Sequence, residues 1–553
     1  MDYTRPMWSD LPEEKKEEYK RLILAFASLT GMFAQKSYDN DSNVSPIINS
    51  KFQETAFQKA FDAYAEDIGN TSYDVSLEEN GEKYLVGIKT FGISSGDQKV
   101  AQFKAKHDEW AEIIEKIKEN ASGADDKDTI NLLNTNLYMT LARRIAMIRN
   151  ARIDSSRANI RGFKVKIDDS HVHSVYHVLM PSGKNEEPKI FVGETAYDKI
   201  DIENLSIIGC TGKNNPTNFF FTDGKHVYKY TSADSQLHMN FDNKNIVCDE
   251  WDVKYADDAH AIFGKIADVI YPENKEFSVS GDKVDFIISK DKFDEPVVEE
   301  SYCWTIWNKN REVELFSGFN SFYGTGSKMQ IAQRIKKIDS LDNLFNDCDE
   351  EFDSYNVDIA NKIKQGVKDF LLKSSATNDA RMEKVKLRNE LIELADKVGS
   401  SKLTDELKKI LYRPMNEVYI SIPDAKSFHK EHPYFFGPGY GEVKDGSHSL
   451  RLPKEERQFN LVFEPSGDSL PAYITQDEGK AIESVEKQSY LGEWILREVF
   501  QLGEYEPLTT ERLEELNING IRLTKYRGSK DIHLEFIWID EENPPKGYIS
   551  GKR

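Results

Sequence analysis

Cysteine is scarce in this chain. Cys210, Cys248, Cys303 and Cys348 are its only four among 553 residues, with no CxxC and no Cys–His pair at zinc-ligand spacing. They read as four unrelated thiols, which fits a reducing compartment. Long apolar runs are also missing. The best, "LILAFASLTGMFA", falls short of the roughly 18 residues of a membrane span. It also follows the acidic "PEEKKEEYK", whereas a secretion signal opens on basic residues. The expectation is a cytoplasmic chain without a membrane segment. Positive charge is in deficit: 73 Lys and Arg against 95 Asp and Glu leave a net charge of −22. Such a surplus repels polyanions beyond the roughly 8–10 Å over which salt screens charge, so any contact with nucleic acid requires basic residues gathered locally. Internal repeats and low-complexity tracts are absent too. Aromatic residues are plentiful: 30 Phe and 25 Tyr argue against extended disorder, and the length accommodates about three domains.

The pattern along the chain predicts an α/β (α+β) multidomain protein. Residues 11–36 read as a helix with an acidic first turn. "NSKFQETAFQKAFDAYAED" reads as a second helix with Phe57, Phe61 and Tyr64 on one face. "NTSYDVSLEENGEKYLVGIKTFG" follows as two strands around a polar turn. "SSGDQKVAQFKAKHDEWAEIIEKIKE" then starts from turn residues and continues as a long helix, which sets Gln98 and Gln102 one helical turn apart. A further helix, "INLLNTNLYMTLARRIAMIRNARI", leads into "DSSRANIRGFKVKI". From 165 to about 316 the text is strand-like, with turns such as "TDGK" and "SGDK". The expected division is 1–345 as a first region, with a core at about 45–165 and a strand-rich part at about 165–345. A helical linker over 346–412 and a last domain over 413–553 complete it.

Within the paired strands, alternation puts Ser72, Asp74 and Ser76 on one face, and sets Gly87 and Lys89 opposite Tyr84, Val86 and Ile88. Asp74, Gly87 and Lys89 can therefore converge. Glu54 lies on the flank of the Phe57/Phe61 stripe, where a carboxylate needs a partner such as a cation. The plain alternative gives Asp74 a turn-capping role, Lys89 an edge-strand role and Glu54 a place on the surface.

Helix, strand and strand bearing Glu, Asp and "GIK" resemble the PD-(D/E)XK nucleases. The resemblance implies a mixed sheet flanked by helices and Mg²⁺ held by Asp74, Glu54 and the main-chain carbonyl of Ile88. It also implies that Lys89 steadies the phosphate or orients water. Phosphodiester hydrolysis needs a cation for the developing charge and a positioned nucleophile, and magnesium keeps several waters beside a few oxygen ligands. The sequence departs from the motif at Gly87, where the family places an acid. Gln98, Lys99 and Gln102 are candidates to line the same cleft. Arg143, Arg144, Arg149, Arg152, Arg157 and Arg161 form the local basic cluster that DNA contact would need.

"VYISIP", "HPYFF", a strand ending in "PSG", "GKAIES", "LGEWILREV" and "LTTERLEELNINGIRLTK" occur in this order over 415–540. They resemble the C-terminal DNA-recognition domain of NgoFVII-type restriction endonucleases, a β-pseudobarrel. The resemblance implies two loop arms that grip the major groove, at "GEVKDGSHSLRLPK" and "EGKAIESVEKQSY". Arg451, Lys480, Ser484, Lys487 and Gln488 have the chemistry for phosphate or base-edge contacts; a solvated surface role is the alternative for each.

"HVHSVYH" puts His171 and His173 on one strand face, and His177 as well if the strand is unbroken. Without a carboxylate pattern these read as structural. Taken together, the expectation is a Type II restriction endonuclease that cuts double-stranded DNA with Mg²⁺, as a homodimer. Two rivals stand: a DNA-binding or regulatory protein with a degenerate nuclease core, and an acidic multidomain protein that binds carbohydrate or protein.

Overall fold

The computed structural model describes residues 7–32, 44–65, 73–164, 171–270, 297–315, 318–320, 331–347, 356–373, 377–412, 414–485 and 489–550. Over these the chain is a mixed α/β protein built on three sheets.

Helices α1 (Met7–Asp10), α2 (Glu13–Ala27) and α3 (Ser50–Phe61) come first, followed by strands β1 (Tyr64–Ala65), β2 (Val75–Glu79) and β3 (Glu82–Thr90). Asn80 and Gly81 join β2 to β3 with φ of 54° and 82°, the left-handed pair that a tight hairpin requires. Next come β4 (Gln98–Gln102), α4 (His107–Ser122) and the 35-residue α5 (Lys127–Arg161). Strands β5 (Val172–Pro181), β6 (Lys189–Ala196), β7 (Ser206–Gly212), β8 (Asn215–Thr222), β9 (Val227–Thr231), β10 (Gln236–Met239) and β11 (Val247–Asp252) precede α6 (Ala259–Ile270).

The first sheet has the order β1-β2-β3-β5-β6-β11. Strands β3 and β5 are parallel, as their helical crossover through α4 and α5 demands. Both faces are covered, so nine consecutive residues of β5 are buried. One face carries Tyr84, Val86 and Ile88 against Tyr19, Phe57 and Phe61 of α2 and α3. The other carries Leu85, Tyr176 and Val178 against α4, α5 and the second sheet, β4-β10-β9-β8-β7. Each fully buried side chain such as Phe57 or Val86 contributes about 1.5–3 kcal/mol.

The stretch "DQKVAQFK" is not the start of a helix. Residues 98–102 form β4, an edge strand paired with β10, and the helix begins only at His107. Gln98 and Gln102 therefore lie on a strand; its cross-chain hydrogen bonds outweigh the local helical reading.

Strand β12 (Val298–Thr305) is followed by four helices with a core of their own: α7 (Ile331–Asp347), α8 (Asn356–Leu372), α9 (Asn378–Val398) and α10 (Ser401–Leu411). The last part holds β13 (Ile420–Ser421), α11 (Ala425–Glu431), β14 (Gln458–Phe463), β15 (Asp468–Ile474), β16 (Ala481–Ser484), α12 (Ser489–Glu493), α13 (Thr510–Leu516), β17 (Gly520–Tyr526) and β18 (Ile532–Ile537). These strands make the third sheet, β12-β17-β18-β14-β15-β16-β13. Trp304, Ile521, Leu534, Leu461, Ala472, Ile482 and Ile420, one from each strand, share a single core, so the sheet curls into a half-barrel. Strand β12 pairs with β17 along its whole length. Residues 298–305 thus belong to the last sheet although the four helices separate them from it in sequence, and the helical segment is an insertion between two strands rather than a linker between domains.

Helix α5 serves two cores. Its middle packs in the core of the first two sheets, and Ala158 near its end lies in the half-barrel core. The Nε1 of Trp494 donates to Ala158 O at 2.9 Å, and Arg161 pairs with Glu498. The helix ends at Gly162, with φ 80°, where any side chain would run into Asp468 and Ser466 of the half-barrel.

Candidate functional site

The end of β3 is where the sequence-predicted groups meet. Asn49 caps α3 by accepting from Phe52 N, and this first turn docks through the buried Gln53, which accepts a hydrogen bond from the Thr90 hydroxyl. Glu54 is the next residue; its carboxylate pairs with Lys51 at 2.8 Å. Asp74 immediately precedes β2. Its main-chain N–H donates to Val86 O at 2.9 Å, and its Oδ2 accepts the Ile88 N–H at 2.5 Å. The carboxylate thus takes the place of a ladder carbonyl at the mouth of the hairpin. Three element ends, the first turn of α3, the start of β2 and the finish of β3, adjoin at residues 88–90. Lys89 is half-buried and makes no ion pair or hydrogen bond among the described residues.

Two features depart from the expected arrangement. Lys83 donates to Ile160 O of α5 and Leu85 lies in the α5-side core, so by alternation Gly87 and Lys89 face α5. Helix α3, which carries Glu54, covers the opposite face. Glu54 and Lys89 therefore approach the strand end from different sides. The second feature is Gly87 itself. A Cβ there would lie 2.9 Å from Cδ1 of Tyr176 and 3.5 Å from Cε1 of Tyr197, and these two rings stack at 4.0 Å. The space of the missing acid is filled by an aromatic ring. Among the described residues no group of three or more His, Cys, Asp or Glu converges as a metal-binding set. Carboxylates suit a largely hydrated divalent ion, but Asp74, opposite Gly87, lies toward α5 and already holds one amide, whereas Glu54 stands on the α3 side.

The arginines of α5 divide sharply. Arg143 and Arg144 are exposed, Arg144 lying 3.8 Å from Glu109. Arg149 is buried, donates to Asp198 O at 2.6 Å and lies over the Tyr197 ring at 4.8 Å. Arg152 donates to the carbonyls of Glu515 and Gln102, and burial pulls its pKa down to about 10. Arg157 donates to Val172 O at 2.9 Å, and Arg161 is buried against Glu498. The last four are internal clamps rather than a surface for phosphates. The reason is helical geometry: Arg149 stands four residues after Ile145 and four before Ile153, on the stripe that faces the core. On β4, Gln98 donates to Gly96 O, Lys99 to Gln102 Oε1 and Gln102 to Asp234 O, so these three make local bonds at the edge of the second sheet, away from β3.

In the half-barrel, Arg451 is exposed and 3.3 Å from Glu442, and Lys480 pairs with Asp477 at 2.9 Å. Ser484 is buried at the end of β16, opposite Ala472. Lys487 and Gln488 lie outside the described residues.

The histidines follow from an unbroken β5. His171 and His173 both meet Glu82, at 3.1 and 2.8 Å; their hydrogen bonds, that of His173 first, hold its carboxyl below the usual range. His177 shares their face. It stacks on Trp8 at 5.3 Å and bonds Tyr19 Oη at 3.1 Å, and burial draws its pKa down to about 3. Directly across the ladder stands Glu194, whose Oε2 accepts the Trp8 N–H at 2.7 Å. Burial pushes this carboxyl up to about 7, against the pull of that hydrogen bond.

Sequence reasoning passed over Gln53 and Tyr176. Gln53 was findable, since it precedes Phe57 by four residues on the buried stripe. Tyr176 was not, because its place beside Gly87 comes from a parallel pairing across about 90 residues of chain. Compared with protein-family models and with curated proteins, the sequence matches none, so its function is read from this geometry.

Proposed function

We propose that the chain is a sequence-specific DNA endonuclease of the restriction type, with a PD-(D/E)XK-like core around β2 and β3 and a C-terminal pseudobarrel that reads the duplex. The observation that carries this reading is the corner at residues 88–90, where the Asp74 carboxylate, the first turn of α3 and the unpaired Lys89 adjoin at one strand end. Asp74 and Glu54, with the Ile88 carbonyl, would hold Mg²⁺, which when bound neutralises charge on the phosphoryl oxygens. Lys89 supplies a fixed positive charge for the scissile phosphate or holds the attacking water. The exposed Arg143, Arg144, Arg451 and Lys480 supply salt-sensitive contacts to the backbone. Two cuts by single sites call for a homodimer on double-stranded DNA.

One observation favours a second reading, a DNA-binding protein that does not cut: Tyr176 occupies the position of the motif's second acid. Digestion of mixed methylated and unmethylated genomic DNA with and without Mg²⁺, with sequencing of the ends, separates the two. Defined Mg²⁺-dependent ends are expected. Intact DNA, retarded at low salt, would establish the second reading instead.

A further inference from the structure

The half-barrel has a seam. Among the described residues its two outer strands, β12 and β13, do not pair with each other, and residues 306–315 and 318–320 lie between them: Ile306 N donates to Asn519 O, and Tyr419 N to Gly318 O. Behind these residues lies a cavity of about 200 Å³. Its walls are aromatic, from Trp304, Trp307, Phe319 and Tyr419. Polar groups interrupt them at Ser421, Asn308 and Thr305, and two charged residues, Lys480 and Glu314, complete the polar lining. Trp304 and Trp307 are 4% and 3% exposed, and both pack with Phe319 in the half-barrel core, although only Trp304 stands on a strand.

The size excludes much. Clefts for drug-sized ligands run to about 300–1,000 Å³, so this one takes a single planar ring system and not an oligosaccharide or a dinucleotide. Its chemistry is equally selective. Aromatic walls suit a flat π-system, and a few polar groups suit a ring edge that both donates and accepts. Ser421 bears a hydroxyl with no hydrogen bond among the described residues, and the Nδ2 of Asn308 likewise donates to none of them, its Oδ1 being taken by the N–H groups of Asn310 and Glu312. Lys480 precedes β16, the strand that leads into one of the two expected DNA arms; it is paired with Asp477 at 2.9 Å, a bond that an arriving phosphate would have to share.

We infer that the seam cavity receives one nucleobase turned out of the duplex, stacked against its aromatic walls and hydrogen-bonded along its edge by Ser421 and Asn308. This rests on the DNA-binding reading above and adds to it a means by which recognition senses the identity or modification of a single base. Unstacking costs a few kcal/mol, least at a mismatched or damaged pair, so affinity should rise for duplexes mispaired at that position.

The test uses the full chain and its Ser421→Trp variant, which fills the cavity, with duplexes carrying 2-aminopurine at successive positions. The wild type should brighten one position severalfold on binding. The variant should bind with the same salt dependence and leave that position dark. Binding by the wild type with no position brightened, or equal brightening by the variant, overturns the inference. Failure of the wild type to bind any duplex at low salt would instead remove the DNA reading. The cavity is then judged by titrating the wild type with deoxynucleosides while following tryptophan fluorescence. Saturable quenching at millimolar concentration keeps a ring-binding cavity, and its absence ends it. The same titration decides if Ser421→Trp does not fold.

Discussion

The corner at the end of β3 and the seam of the half-barrel differ in how their polar groups are employed. At the corner the carboxylates are already engaged, Asp74 by the Ile88 amide and Glu54 by Lys51, whereas the Lys89 ammonium has no partner among the described residues. At the seam Lys480 and Glu314 stand beside the uncharged Ser421 and Asn308, and aromatic rings make most of the boundary. Electrostatics governs the first region and fit governs the second. Substitutions at the corner should therefore change rates, whereas those at the seam should change which ligand is accepted.

The comparison breaks most visibly at Gly87. Replacing it with Asp restores the motif on paper. In the structure it drives a Cβ and a carboxylate into Tyr176, costing about 1–3 kcal/mol for overpacking and at least as much again for an unpaired buried charge. Urea unfolding should show a lowered midpoint, and cleavage should fall rather than rise. A more active Gly87→Asp enzyme would show that the corner is open where the structure fills it.

Arg161→Ala should come next. It leaves Glu498, 22% exposed, without its partner between the two cores, at a cost of about 1–3 kcal/mol for a charged group that keeps some water, read by chemical denaturation. Lys89→Met should leave folding within about 0.5 kcal/mol and lower the cleavage rate by about 10²–10³-fold, as expected for loss of one preorganised charge. An unchanged rate would place the chemistry elsewhere.

The pH dependence sharpens the same contrast on the α3 side of the sheet. His177 has its pKa drawn down to about 3 by burial, so its neutral form stabilises the fold above the unfolded value of about 6.5, and this is lost as pH falls toward 3. Glu194, raised to about 7 by burial, works in the opposite sense, favouring the fold below about 4.5 and losing that as pH rises through 7. The two slopes oppose between about 4.5 and 6.5, so stability should decline steeply only below about 4.5, by at most about 1.4 kcal/mol per pH unit from His177. His177→Phe should flatten that decline in acid melts. The smallest effect should be at Arg143→Ala, with stability within about 0.5 kcal/mol and, if the residue touches phosphate, a salt slope of DNA binding reduced by about one.

The hairpin of β2 and β3 was legible because Asn-Gly between alternating strands leaves the backbone little choice; the half-barrel was legible only over 415–540, because its outer strand β12 comes from before the four helices. The helix assigned to residues 98–102 failed because a short polar strand has no pattern of its own; its partner, β10, is more than 130 residues away. The arginines were misplaced as a surface because charge was counted without the helical stripe, which puts Arg149 between Ile145 and Ile153. The meaning of Gly87 depended on a neighbour brought in by parallel pairing, which no local window contains.

The provenance of β12 has a practical side. A fragment cut at 413 to isolate the recognition module would be born without its outermost strand, leaving β17 with a bare row of amides and carbonyls ready to pair with any passing chain. Such a fragment should aggregate. An expressible version has to begin near 297, or carry residues 297–320 grafted through a short linker in place of the four intervening helices.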